Sequence, residues 1–155
     1  MATDDNKLII PPLGRIYETL DPLAYPMLRI MMGLFYVPHG AQKLFQMFSG
    51  RPIEDYMQAF GRMGGFWGQP HWVYYIGSLE FFGGLMLAAG FLTRLWALQL
   101  FGFMMMATFV ANAPRGWFWT TGGSEAAASW MIVLAYICVY GAGKFSIDNA
   151  IGKEI

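Results

Sequence analysis

Four stretches of the chain consist mainly of apolar residues, and each is long enough to cross a lipid bilayer. They cover about residues 24–45, 72–92, 95–113 and 125–142. The hydrocarbon core is about 30 Å thick and a helix rises about 1.5 Å per residue, so a span needs roughly 20 residues. In lipid, a helix satisfies all of its backbone polar groups internally. The pattern therefore predicts an all-α membrane protein built as a four-transmembrane-helix bundle.

The connections between these stretches fit that bundle. Only a few residues around Thr93 and Arg94 separate the second and third stretches, which predicts an antiparallel hairpin. Residues 112–116 contain a proline and a glycine and end the third helix, and Gly141 and Gly143 end the fourth. The predicted organisation is an N-terminal cytoplasmic or interfacial segment at 1–23, the four-helix domain at 24–142 and a cytoplasmic tail at 143–155.

Two shorter segments have the pattern of helices that lie flat on a membrane. At the N-terminus, one helical face carries Leu13, Ile16, Tyr17 and Leu20. In the first connection, Pro52 can open a helix whose apolar side holds Ile53, Tyr56, Met57, Phe60 and Met63. The opposite side holds Glu54, Asp55, Gln58 and Arg62. We interpret both segments as short interfacial helices; the alternative is a partly ordered loop.

Composition supports a membrane protein and excludes other classes. Hydrophobic residues make up 56% of the 155 positions and charged residues 13%, whereas soluble domains carry about 25% charged residues. The net charge of zero gives no indication of a nucleic-acid partner. The single cysteine, Cys138, excludes a CxxC redox pair. The first residues lack a long apolar core, so we expect no cleavable signal peptide.

Basic and aromatic residues predict the orientation. Lys7, Arg15, Arg29, Arg94, Lys144 and Lys153 fall on the side of the two termini, and Lys43, Arg51, Arg62 and Arg115 fall on the other. This excess favours both termini in the cytoplasm. Trp67, Trp72, Trp117 and Trp119 lie in the first and third connections, which form one face. We expect a multi-pass protein of a bacterial cytoplasmic (inner) membrane, with this aromatic belt on the outer side.

Polar residues inside the spans are the candidate functional residues. At helical spacing, Arg29, Gly33, Tyr36, Gly40 and Lys43 share one stripe of the first helix, with His39 beside Lys43. Counting depth along each helix predicts two polar layers, Glu80 with His39 and Lys43, and Arg29 with Gln99. Such residues usually face the interior of a bundle.

The Glu80 layer has two interpretations that the residues leave open. One is a site for a polar head group, a quinone or a proton. The other is an ion pair that only fixes the register of the helices. The glycines Gly33, Gly40, Gly83 and Gly84 are assigned to close helix packing. We expect no metal site.

Several motifs together resemble the DoxX family of small four-helix membrane proteins. They are RIMMGLF at 29–35, HGAQKLF at 39–45, EFFGG at 80–84, GFLTR at 90–94, and a glycine pair at 122–123 before Glu125 with GKFSID at 143–148. The resemblance covers about residues 25–150. The chain departs from the family pattern at Ser124 and in its longer N-terminal segment. It marks Arg29, His39, Lys43, Glu80, Gly83, Gly84, Arg94 and Asp148.

The resemblance implies a role in membrane redox chemistry. The family is named for a subunit linked to a terminal quinol oxidase, and relatives resemble small subunits of a thiosulfate:quinone oxidoreductase. Others are associated with membrane complexes that respond to oxidative or thiol stress. We therefore expect an accessory subunit of a larger redox or energy-converting complex, in contact with the lipid bilayer and other membrane subunits. The alternatives are a subunit that itself binds quinone near Glu80, and a small proton-coupled transporter.

Overall fold

The computed structural model describes residues 8–154, and every regular element among them is helical. The helices are α1 Gly14–Phe45, α2 Ile53–Gly61, α3 Pro70–Ala89, α4 Thr93–Ala111, α5 Glu125–Tyr140 and α6 Ile147–Ile151. Short 3₁₀ turns cover Pro11–Leu13, Gly65–Gly68, Ala113–Arg115 and Trp119–Thr121. The all-helical prediction is confirmed for this part of the chain.

The N-terminal segment corrects one expectation. Residues 14–23 are helical, but they belong to α1 rather than to a separate interfacial helix. Pro22 and Pro26 lie inside α1 without ending it. A proline removes one backbone donor and crowds the carbonyl four residues before it, yet α1 continues through Pro22, Pro26 and Pro38 over all of its 32 residues. The apolar face that predicted a separate helix is therefore the first part of α1.

The helix in the first connection forms as predicted. Pro52 precedes α2, and Glu54 and Asp55 occupy its first turn, where acidic side chains interact favourably with the helix dipole. Tyr56 and Phe60 are half-buried, whereas the acidic residues are exposed. The apolar side of α2 therefore faces the protein, as its pattern requires.

Helices α3 and α4 form a tight hairpin, and each contains a turn of π-helix. The π turns cover Leu79–Gly83 in α3 and Ala107–Ala111 at the end of α4. Gly90, at φ +72°, ends α3 in the left-handed conformation that glycine adopts without strain. Single π turns inside α-helices occur frequently at functional sites.

Two helices, α3 and α4, are long and apolar enough to cross a membrane, judged by length and composition. Helix α5 is apolar but shorter, with 16 residues. Helix α1 is longer than either span but carries polar residues such as Arg29 and His39 in its interior. These criteria identify two of the four predicted spans.

The core lies between two pairs of helices, α1 with α3 and α4 with α5. Its buried members include Met32, Tyr36, Leu79, Leu87, Ala97, Leu100, Met104, Leu134 and Ile137. Helices α1 and α3 come close because glycines face each other. A Cβ added at Gly33 would lie 2.5 Å from the Gly84 carbonyl oxygen, and one added at Gly40 would lie 2.6 Å from that of Gly77. The two backbones are therefore in direct contact.

This contact predicts that Gly40→Ala destabilises the protein. The added methyl group would overlap the backbone of α3, and such overpacking typically costs about 1–3 kcal/mol. Gly102→Ala is the matched control, because nothing lies within 4 Å of a Cβ there and alanine favours a helix. Thermal unfolding in detergent should show a lower midpoint for Gly40→Ala and an equal or higher one for Gly102→Ala. Equal midpoints for Gly40→Ala and the parent protein would contradict the close contact.

Candidate functional site

The centre of the candidate site is an ion pair between α1 and α3. The Lys43 ammonium nitrogen lies 2.5 Å from Oε2 of Glu80, and it also donates to the His39 backbone carbonyl at 3.2 Å. The side chains are 10% and 5% exposed, respectively. Glu80 stands in the π turn of α3. Attraction between two such groups must offset the cost of removing both charges from water.

Helix α2 closes one side of this pair. The Lys43 ammonium lies 5.7 Å from the ring centroid of Tyr56, within the range of a cation–π interaction. The Tyr56 hydroxyl accepts a hydrogen bond from the Arg51 backbone amide at 3.3 Å. The helix of the first connection is therefore part of the site's surroundings.

A cleft of about 300 Å³ opens on the other side of Glu80, a volume at the lower end of small-molecule sites. It is lined by Tyr36, His39, Glu80, Phe103, Met104, Ala126, Ala127 and Trp130. The Trp130 ring centroid lies 5.7 Å from that of His39 and 5.1 Å from that of Tyr36. A carboxyl group, an imidazole and a phenol thus surround a space with aromatic walls.

Tyr36 carries a hydroxyl group in this cleft, and the sequence pattern did not select it as a site residue. It is 1% exposed, and its hydroxyl has no hydrogen-bond partner among residues 8–154. A buried unpaired hydroxyl costs about 1–3 kcal/mol, so native structures seldom retain one without a reason. In the sequence, the feature that could have indicated Tyr36 was its position on the same helical stripe as Lys43.

Arg29 lies away from the cleft, at the end of α3. Its terminal nitrogens donate to the carbonyl oxygens of Leu87 at 2.8 Å, Ala88 at 3.0 Å and Phe145 at 2.6 Å. The last carbonyls of a helix lack partners within the helix and carry partial negative charge. Arg29 therefore stabilises the C-terminal end of α3.

The predicted layer of Arg29 with Gln99 is wrong. The side-chain carbonyl of Gln99 instead accepts from the Tyr75 hydroxyl at 3.5 Å. Counting residues gives the depth of a side chain, but it does not give its direction around the helix axis. Arg29 instead donates to the Leu87 and Ala88 carbonyls at the end of α3.

Asp148 has a role that the sequence pattern did not reveal. Its carboxylate accepts from the backbone amides of Leu92 at 2.8 Å and Thr93 at 2.9 Å, and from the Thr93 hydroxyl at 2.9 Å. The residue is 2% exposed. The predicted tail thus contains helix α6, and it folds back to cap the N-terminus of α4.

The cleft beside Glu80 brings together an imidazole, a carboxyl group and a phenol. Among the described residues, no group of three or more His, Cys, Asp or Glu side chains could hold a metal. Imidazole, carboxyl and phenol groups can instead hydrogen-bond a polar ring and exchange protons with it.

The helical fold and the two candidate spans are compatible with a small helical membrane protein. The chain belongs to the DoxX family, whose family model matches residues 25–113. The match contains Arg29, His39, Lys43 and Glu80. Comparisons with curated proteins and with solved structures give no significant match.

The ion pair predicts strong coupling between Lys43 and Glu80. Removing one partner leaves the other charge buried and uncompensated, so Lys43→Met or Glu80→Leu alone should each cost about 3 kcal/mol of unfolding free energy. The double variant should recover most of that loss, because neither charge remains. Thermal unfolding of all four proteins in detergent measures this coupling.

The surface pair of Arg94 and Glu154 provides the control. Its atoms are 3.4 Å apart and its side chains are 41% and 37% exposed, so Arg94→Gln should cost at most about 1 kcal/mol. If the two losses at Lys43 and Glu80 simply add in the double variant, the pair contributes no coupling energy.

Proposed function

We propose that this DoxX-family protein crosses the bilayer four times and binds a quinone in the cleft beside Glu80, as a subunit of a membrane redox complex. The observation that carries the proposal is the buried, unpaired hydroxyl of Tyr36 in a cleft that also contains His39 and Glu80.

Four crossings are supported by the packing of the two remaining long helices. Helix α1 packs along α3, and α5 packs along α4, so both accompany a candidate span through the membrane. At about 1.5 Å per residue, α1 is long enough to cross and to continue beyond the bilayer. The proposed orientation retains both termini in the cytoplasm of a bacterial cell, on the basis of the basic residues.

The polar groups of the cleft suit a quinone ring. A quinone has a flat ring and two carbonyl oxygens that accept hydrogen bonds. The indole of Trp130 and the ring of Phe103 provide flat apolar walls. The Tyr36 hydroxyl provides a donor that has no other acceptor, and binding a carbonyl there would remove the cost of leaving that donor unpaired.

The remaining residues of the cleft fit proton exchange. Reducing a quinone to a quinol adds a proton to each carbonyl oxygen, and the electrons must come from a donor in the complex. The imidazole of His39 is a suitable group for passing protons near neutral pH. Lys43 holds the Glu80 carboxylate in a fixed position, which keeps that wall of the cleft polar.

The proposal predicts that Tyr36→Phe weakens quinone binding without weakening the fold. Loss of one hydrogen bond should reduce the affinity for a short-chain ubiquinone by up to about tenfold, measured by titration of the purified protein. The unfolding midpoint should be equal or higher, because phenylalanine keeps the packing and removes an unpaired hydroxyl. Tyr74→Phe is the control, since Tyr74 is exposed and outside the cleft. Unchanged affinity in Tyr36→Phe would refute this site.

An accessory role is the second candidate, and the beginning of α1 favours it. Ile16 and Leu20 are about half exposed in the part of α1 that precedes the predicted span, and such side chains are available to a partner subunit.

The transporter alternative is less well supported. A transporter of cationic drugs would need a free carboxylate in the membrane, whereas Lys43 already neutralises Glu80. Transport therefore ranks third.

The accessory role predicts stoichiometric partner subunits after mild-detergent purification at native expression. The double variant Ile16→Ser with Leu20→Ser should lose those partners while its unfolding midpoint stays unchanged. Glu18→Gln, in the same exposed segment, should retain them. Partners that persist in the double variant would contradict a role for this segment, and a chain that purifies alone would contradict the accessory role itself.

A further inference from the structure

A second, larger cavity lies beside the C-terminal half of α4 and is separate from the Lys43–Glu80 pair. This groove has a volume of about 630 Å³, within the range of ligand sites. Its lining includes Arg62, Met63, Phe103, Met106, Val110 and Arg115. The groove lies between the end of α2 and the end of α4. Its arginines, Arg62 and Arg115, do not line the cleft beside Glu80.

The groove is lined mainly by apolar side chains and also by two arginines, Arg62 and Arg115. Phe103, Met106 and Val110 lie within the candidate span Thr93–Ala111, over about 10 Å of helix. Arg115 follows just after that span. Arg62 directly follows the last residue of α2. An amphiphile aligned with the membrane has the matching polarity, with its chain inside the bilayer and its head group at the edge.

The two arginines are available to an anion. Neither has an ion-pair partner among residues 8–154. Guanidinium groups match the geometry of phosphate oxygens through paired hydrogen bonds, which makes arginine a preferred phosphate ligand. A free inorganic anion could satisfy the charge but would leave the apolar floor uncovered.

We propose that this groove binds an anionic phospholipid. Its phosphate lies between Arg62 and Arg115, and an acyl chain lies along Phe103, Met106 and Val110. Phe103 also lines the Glu80 cleft, so the bound chain covers the opposite side of a wall of that cleft. Lipid binding does not depend on the quinone proposal and should persist in Tyr36→Phe.

The test is native mass spectrometry of the whole protein from mild detergent, with phosphatidylglycerol and phosphatidylcholine of identical chains as probes. Phosphatidylglycerol should bind about tenfold more tightly. Arg62→Gln with Arg115→Gln should remove that preference, and each single variant should reduce it. Arg51→Gln is the matched control, an exposed arginine on the same face but outside the groove, and it should keep the preference.

Three results would overturn the proposal. Equal binding of the two lipids would remove the role of charge. A preference that survives in the double variant, with its unfolding midpoint unchanged, would remove the role of these arginines. Complete displacement of phosphatidylglycerol by millimolar inorganic phosphate would identify a site for a free oxyanion rather than a lipid.

Discussion

The direct backbone contact between α1 and α3 determines where the two buried basic groups of α1, Arg29 and Lys43, lie. Gly33 and Gly40 allow α1 to approach α3 more closely than any side chain would permit. At that separation Lys43 reaches Glu80, and Arg29 reaches the last carbonyls of α3. These two interactions lie about 21 Å apart along α1, so one packing surface aligns both.

Glu80 lies in the π turn of α3, where it contacts a base and also lines a cleft. A π turn adds a residue to the helix and changes the direction of the side chains that follow. Leu79, Glu80 and Gly83 are all buried within this turn. One edge of the Glu80 carboxylate contacts Lys43, while the side chain also borders the space next to Tyr36.

The sequence predicted the features that repeat along a helix, such as apolar length and a shared stripe. It did not predict which partner a side chain has where a single contact determines that partner. Apolar length located α3, α4 and α5, and the stripe on α1 selected the partner of Glu80. Depth alone paired Arg29 with Gln99, because it contains no information on direction around the axis. Residues 14–23 continue into α1 through Pro22, so the predicted separate segment is part of the first helix. Asp148 follows the last span in a segment without periodicity, so only the family resemblance marked it.

The buried polar side chains of the helices differ in how fully their hydrogen-bonding groups are satisfied. At the α3–α4 turn, the carboxylate of Asp148 accepts three hydrogen bonds and Arg29 donates three. These bonds join α1 and the C-terminal segment to the turn, although Nε of Arg29 has no partner among the described residues. The hydroxyls of Tyr36 and Thr108 have no partner in the described part of the chain, and each lies close to or within a π turn or a cleft. Among the described residues with such an unpaired buried atom, Tyr36 is the one that lines the cleft beside Glu80, and the quinone proposal rests on it.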